Sequence, residues 1–297
     1  MIGELAALGA SLSWAIAPIL YTKALLNTKP ISANIVRCAT NAGVLVAALL
    51  LLGQAGALAA LPTRTMVLVV TSGVVGLGVG DTLYMVGLKF VGVSRAVPLA
   101  ATYPLFSLIW ATLLLHQQLT IAAVLGAAVI VLGIWLLSRE KAGQKTIVKS
   151  RLALIGLSVS LVTAVIWSVS ITMMNVAVSG VTSLGANYAI VTLRIASVAL
   201  FFILLAPFLD REHGFLKIKR NAVVALCIGG LIANGVGWLL LNYSFLNTSL
   251  THAVPISSTS PLFAAIAGFM LFHERMTKEA VLGATAIVAG ICLIFLL

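Results

Sequence analysis

The chain has 297 residues, of which 61% are hydrophobic and only 8% charged, and its mean hydropathy is +1.17. A soluble domain is about a quarter charged, so this composition excludes soluble enzymes, nucleic-acid binders and secreted disulfide scaffolds, and defines an integral membrane protein. The net charge of +11 belongs to the cytoplasmic face of a bilayer and not to nucleic acid, as its distribution shows below. Cys38, Cys227 and Cys292 each sit in an apolar run and read as small hydrophobes.

A membrane-crossing helix needs about 20 mostly apolar residues, with its peptide groups bonded within the segment. Polar punctuation cuts the sequence into ten such runs, at 3–24, 31–53, 65–88, 95–115, 121–138, 152–176, 184–208, 221–245, 252–272 and 279–297. The opening run lacks a basic start and a cleavage site and reads as a retained span. Fifteen of the 18 Lys and Arg fall at alternate loops, the longest being 139–151 and 210–220; only Arg64 falls on the other side, and Arg37 and Arg194 lie inside spans. The positive-inside rule then predicts a multi-pass protein of the cell membrane with cytoplasmic basic loops and both termini outside.

Taken in chain order, the spans carry few polar residues, and these are the candidate site. The first holds Trp14 near its middle, with Pro18 one turn on. The second holds Arg37, read first as a structural group that snorkels to the helix end and second as an anion ligand, and Asn41 one turn beyond. The third carries Asp81, the single acid deep in a span. A carboxylate there is expensive unless paired, neutralised or wetted, and two readings stay open: a proton-coupling or substrate-amine site, or a structural pair with Lys89 or Arg95. Leu77 and Tyr84 share its face, and the preceding Gly76-x-x-x-Gly80 reads as a close-packing surface.

The fourth span has Pro98 and Pro104 as helix breakers around Thr102 and Tyr103, since a proline removes a donor and frees carbonyls. The fifth shows Gly126 and Gly133 seven apart. The sixth has Trp167 at mid-span. The seventh has Asn187, Tyr188 and Arg194. In the eighth, Asn234, Trp238 and Asn242 are spaced by four and share one face. The ninth repeats the breakers as Pro255 and Pro261, around Ser258 and Thr259, and its denser polar run predicts more substrate contacts from the second half. The tenth has Gly283 and Gly290. His252 starts the ninth span, where it matches Arg95, while His116 and His273 end matched helices; terminal basic groups read as ordinary dipole partners, and no metal or cofactor is predicted.

The chain is an internal duplication. At an offset of 157, 21 of the 41 positions from Ala96 to Leu136 are identical to their partners, Arg37 falls on Arg194, Gly78-Val79-Gly80 falls on Gly235-Val236-Gly237, and Asp81 falls on Trp238. The first helix pairs best with a four-residue shift that puts Trp14 on Trp167. Because each unit has five spans, the second enters the membrane from the opposite side. The predicted fold is therefore all-α and integral to the membrane: ten transmembrane helices as two inverted five-helix repeats, 1–138 and 152–297, joined by a basic linker at 139–151. Matched helix interruptions in two inverted halves point to a secondary transporter with a midplane site.

These residues resemble the EamA family of the drug/metabolite transporter superfamily. The resemblance is most specific at the end of each unit, His273-Glu274-Arg275-Met276-Thr277 before Gly283 to Ile291, and His116-Gln117-Gln118-Leu119-Thr120 before Gly126 to Ile134. Gln117 stands where the family motif has Glu. The resemblance implies a ten-helix metabolite transporter, often an exporter of amino acids or related solutes, with a cavity lined by the first four helices of each unit. It also implies cytoplasmic termini, against the 15-to-1 loop count, which is followed here.

The reading is thus a secondary active carrier. Its partners are a small-molecule substrate, the lipid bilayer and protons as the candidate coupling ion, with no nucleic acid. A lining with one acid and no net charge favours zwitterions or amines. One chain holds both halves, so a monomer suffices, with a homodimer as the other arrangement. A membrane channel or uncoupled facilitator is the alternative. A membrane-embedded enzyme is disfavoured, since an aspartyl protease needs two buried acids and a serine nucleophile needs a histidine at its own depth.

Overall fold

The computed structural model describes residues 1–139, 150–181, 183–263, 266 and 278–296, and among these every regular element is helical. In order they are α1 (Ile2–Leu25), α2 (Pro30–Leu51), a short helix Ala55–Ala59, α3 (Thr63–Val91), α4 (Val93–Ala100), α5 (Tyr103–Leu113), α6 (Ile121–Arg139), α7 (Ser150–Val178), α8 (Leu184–Leu209), a 3₁₀ turn Gly214–Lys217, α9 (Arg220–Asn247), α10 (Leu250–Ser257) and α11 (Lys278–Leu296). Seven helical stretches are long and apolar enough to cross a membrane, and Ile121–Leu136 and Val281–Ile294 are shorter apolar helices. The chain is a multi-pass, all-helical membrane protein. Most of the linker with Glu140, Lys141, Lys145 and Lys149, the later part of the ninth span, and the His273–Thr277 turn with Glu274 and Arg275 lie outside the described residues.

Local chemistry explains the ends. Pro30 opens α2 after an extended Lys29, a position where its missing N–H costs nothing. The Ser183 hydroxyl accepts from the Ala186 N–H to cap α8. Gly92, at φ +75°, turns the chain from α3 into α4 within a single residue, a conformation open to glycine at no steric cost. Outward faces are apolar, as in Leu200, Ile203, Leu204 and Phe208 of α8, because lipid offers no hydrogen bonds.

Helices related by the 157-residue offset run antiparallel. In α6 and α11, Gly126 meets Gly290 and Gly133 meets Gly283, with backbone oxygens 2.7–2.8 Å from where a Cβ would stand. In α2 and α8, the Tyr188 hydroxyl donates to the Leu45 carbonyl at 3.0 Å while Gly185 lies against Gln54. Antiparallel contact between copies of one sequence is the geometry of an inverted repeat. The other main contacts occur as a matched pair: α1 crosses α9, with Trp14 on Gly237, and α7 crosses α3, with Trp167 on Gly80.

Two pairs of interruptions appear at matched places. In α3 and α9 the glycine-rich stretches Gly73–Gly80 and Leu231–Gly237 widen into π-helix, a departure common at functional sites. The fourth span breaks at Ala101-Thr102 and the ninth at Ser258-Thr259. Pro98 and Pro255 lie inside their helices, three or four residues before the break, whereas Pro104 and Pro261 begin the segments that follow it.

Candidate functional site

A cavity of about 90 Å³ lies between the two halves, room for several waters or one small solute, given that a water needs about 10–15 Å³ on this measure. Its walls come from α1, α2, α3, α4, α5, α7, α8 and α9, together with Ser260 beyond the ninth-span break. Aromatic rings dominate. Trp14 packs against Trp238 at 5.8 Å between centroids, and Trp167 packs against Tyr84 at 4.9 Å and Tyr103 at 6.2 Å.

Asp81 is the single acid among the described residues that line the cavity. Its Oδ2 accepts from Arg37 Nη2 at 2.6 Å and its Oδ1 accepts from Trp167 Nε1 at 2.8 Å. The Arg37 guanidinium also donates to Asn34 Oδ1 at 2.6 Å and to the Tyr21 hydroxyl at 3.4 Å. Asn34 in turn donates to the Leu77 and Gly78 carbonyls and to Thr82 Oγ1. The Asn34 amide thus ties α2 to the backbone of the wide turn just before Asp81, where the Thr82 hydroxyl also donates to the Gly78 carbonyl at 2.6 Å. The partner expected for Asp81 was Lys89 or Arg95; Lys89 instead donates to the Thr28 carbonyl at 3.0 Å. Arg37 is 2% exposed, so it does not snorkel, and the tertiary fold alone brings it to Asp81.

The equivalent place in the second half differs. Arg194, the repeat mate of Arg37, is 1% exposed and also lines the cavity, but Trp238 stands where a second aspartate would be. The guanidinium stacks on the Trp238 ring at 3.5 Å, and its Nη2 donates to Ser170 Oγ at 2.7 Å. Trp14 Nε1 donates to the Ala233 carbonyl in the π stretch at 3.0 Å, the counterpart of the bond that Trp167 makes to Asp81.

Of the residues the sequence singled out as lining, the structure brings together Trp14, Leu77, Asp81, Tyr84, Tyr103, Trp167, Asn234 and Trp238 at the cavity. Six others lie elsewhere. Thr102, Ser258 and Thr259 turn their hydroxyls back onto the carbonyls of Leu99, Pro255 and Ile256 at 2.6–2.8 Å, because a broken helix strands acceptors that lipid cannot satisfy. Asn41 tucks against Gly230 behind Arg37. Tyr188 bonds Leu45 across α2 and α8. Asn242 lies one turn past Trp238 and donates to Asn187 Oδ1 at 3.1 Å, tying α9 to α8. None of the four prolines is on the wall; Pro18 is. Among the described residues, the first half supplies more of the lining than the second. The expectation of a lining without net charge fails, since two arginines face one acid.

Sequence reasoning passed over Asn34, Tyr21 and Ser170. The first was legible as a polar residue one turn before Arg37, and the other two had no signal beyond their helix positions.

A pocket enclosed by two inverted helical units, with charged groups held out of lipid, defines a polytopic membrane transporter. The EamA-like transporter family matches residues 1–139 and again 154–296, and the chain belongs to that family, within the drug/metabolite transporter superfamily. It is similar to an uncharacterized transporter of Archaeoglobus fulgidus, at 26% identity over 299 residues spanning 100% of this chain and 99% of that one. A solved crystal structure superimposes with a TM-score of 0.72 at 21% identity, covering 98% of this chain and 95% of the other; at that identity it speaks for the fold alone.

Proposed function

We propose that this protein is a secondary active carrier that exports amino acids or related small metabolites across the cell membrane by alternating access. Its two repeats, 1–138 and 152–297, rock about the shared cavity, with the basic loops cytoplasmic and both termini outside. The observation that carries this reading is the cavity at the junction of antiparallel twins, with a charge pair, Arg37–Asp81, buried in its wall. The pair joins α3 to α2, so a change of charge at Asp81 would alter how these helices pack; this is the basis for protons as the coupling ion.

The test is counterflow in proteoliposomes. A carrier accelerates uptake of labelled solute when unlabelled solute waits inside, and a channel does not. Asp81→Asn should abolish the dependence of exchange on a pH gradient. Normal exchange with unchanged pH dependence in that variant removes Asp81 from the mechanism, and absence of counterflow across a broad solute panel removes the carrier.

A further inference from the structure

The two repeat-related arginines have been treated unequally. Arg37 has its carboxylate in Asp81, 2.6 Å away. Arg194 has an indole in the corresponding place, and its Nε and Nη1 are buried without a hydrogen-bond partner among the described residues. Asn234, 2% exposed and on the same cavity wall, has an unpartnered amide Nδ2 as well. Arg37 Nε is unpartnered as well, but Arg194 has two such nitrogens and no carboxylate; four buried donor nitrogens on residues lining one pocket thus lack an acceptor among the described residues, and a buried unsatisfied donor, above all a charged one, is costly. With Arg37 and Asp81 cancelling, the lining keeps one positive charge.

We propose that the cavity takes a small solute of net charge −1 through its carboxylate, which seats on Arg194 and Asn234 and completes in the second half the ion pair that Asp81 completes in the first. This rests on the carrier reading above and narrows its substrates from amino acids and related metabolites at large to solutes of net charge −1. Trp238 covers one face of the guanidinium and Ser170 holds one edge, so a ligand reaches the remaining N–H groups in the guanidinium plane. A planar carboxylate fits that approach. The rest of the solute meets Trp14, Tyr84, Tyr103 and Trp167, which suits an apolar or aromatic body. An amine would meet Arg194 as a like charge, and the oxygens of Asp81 are already engaged by Arg37 and Trp167.

The experiment measures binding to the purified full-length protein in detergent with two charge series on fixed skeletons: propionate, alanine and propylamine, and 3-phenylpropionate, phenylalanine and phenethylamine. The anion of at least one series should bind tightest. Trp238→Asp places an acid against Arg194 as Asp81 stands against Arg37, so this variant should stay folded and lose anion binding by about 10- to 100-fold. Arg194→Gln should lose it similarly, and Arg194→Lys should recover part of it. Tighter binding of an amine or zwitterion in both series, no anion binding, or undiminished anion binding in a folded Trp238→Asp protein each overturns the proposal. Counterflow in liposomes separates the two levels. Exchange of zwitterions or amines without anions sinks this proposal and leaves the carrier; anion binding without accelerated exchange does the reverse.

Discussion

Replacing Asp81 with Asn removes one negative charge and little else, because the side chains are nearly isosteric. In the native site each carboxylate oxygen accepts a short bond, 2.6 Å from Arg37 and 2.8 Å from Trp167. An amide keeps one acceptor and turns an NH₂ group toward a second donor. A hydrogen bond to a charged group is worth about 1.5–3 kcal/mol, and Arg37 is left as a buried cation whose remaining acceptors are Asn34 and Tyr21. Breaking one partner of a buried pair costs about 3–5 kcal/mol, and that is the loss expected for Asp81→Asn. Unfolding in mixed detergent and SDS micelles measures it, run as a cycle with Arg37→Met. Each single change should be severe, and the double variant should recover about 1–3 kcal/mol of the summed loss because no orphan charge remains. A single-variant loss below about 1 kcal/mol, or additivity within about 0.5 kcal/mol, would show that the pair carries little energy and would refute the reasoning.

Gly133→Ala should weaken the α6–α11 contact by about 1–3 kcal/mol, because the new methyl meets the Gly283 oxygen at 2.7 Å and the Ile287 nitrogen at 2.8 Å, and backbone cannot yield as a side chain can; unfolding of the variant in the same micelles checks this. Trp167→Phe keeps the ring beside Tyr84 and loses the donor to Asp81 Oδ1, so a loss of about 1.5–3 kcal/mol is expected by the same measurement. Asp210 ties the loop after α8 to the start of α2. Burial raises its pKa, but bonds from the Ser32 hydroxyl and the Phe215 and Gly214 N–H groups, with Lys29 nearby, win and hold it below the ordinary 3.8. The folded state therefore binds that proton less readily than the unfolded chain. Its contribution is complete above pH 3.8 and is lost as the pH falls below it, so Asp210→Asn should flatten the acid limb of a stability-against-pH curve. Tags placed after residue 138 and at the C-terminus should report opposite faces of the membrane; the same face for both would remove the inverted arrangement.

Much of the architecture could be read directly. Hydropathy alone separates the spans, since lipid tolerates few alternatives to a continuous apolar helix. The duplication at offset 157 foretells which helices pair, and the glycines at 126, 133, 283 and 290 foretell one contact surface. The faces bearing Asp81 and Trp238 were also legible, because helical spacing places Leu77, Asp81 and Tyr84 together whatever surrounds them. Where the reading missed, the cause was local satisfaction. Thr102, Ser258 and Thr259 look like ligands in a list of polar residues, yet a broken helix uses hydroxyls to quiet its own carbonyls, and sequence does not say which demand is met first. Gly76 and Gly80 of the widened turn Gly73–Gly80 were read as a packing face, and the bonds that Asn34 makes to its carbonyls were not foreseen.

By itself, then, the sequence determined the membrane class, the duplication and the place of each polar group along its helix, because these follow from composition and periodicity along one chain. Tertiary structure decided who meets whom. Charges on different helices find partners across distances that sequence spacing does not encode, so Arg37 closing on Asp81, and Arg194 left facing a tryptophan, became visible only once the helices were packed.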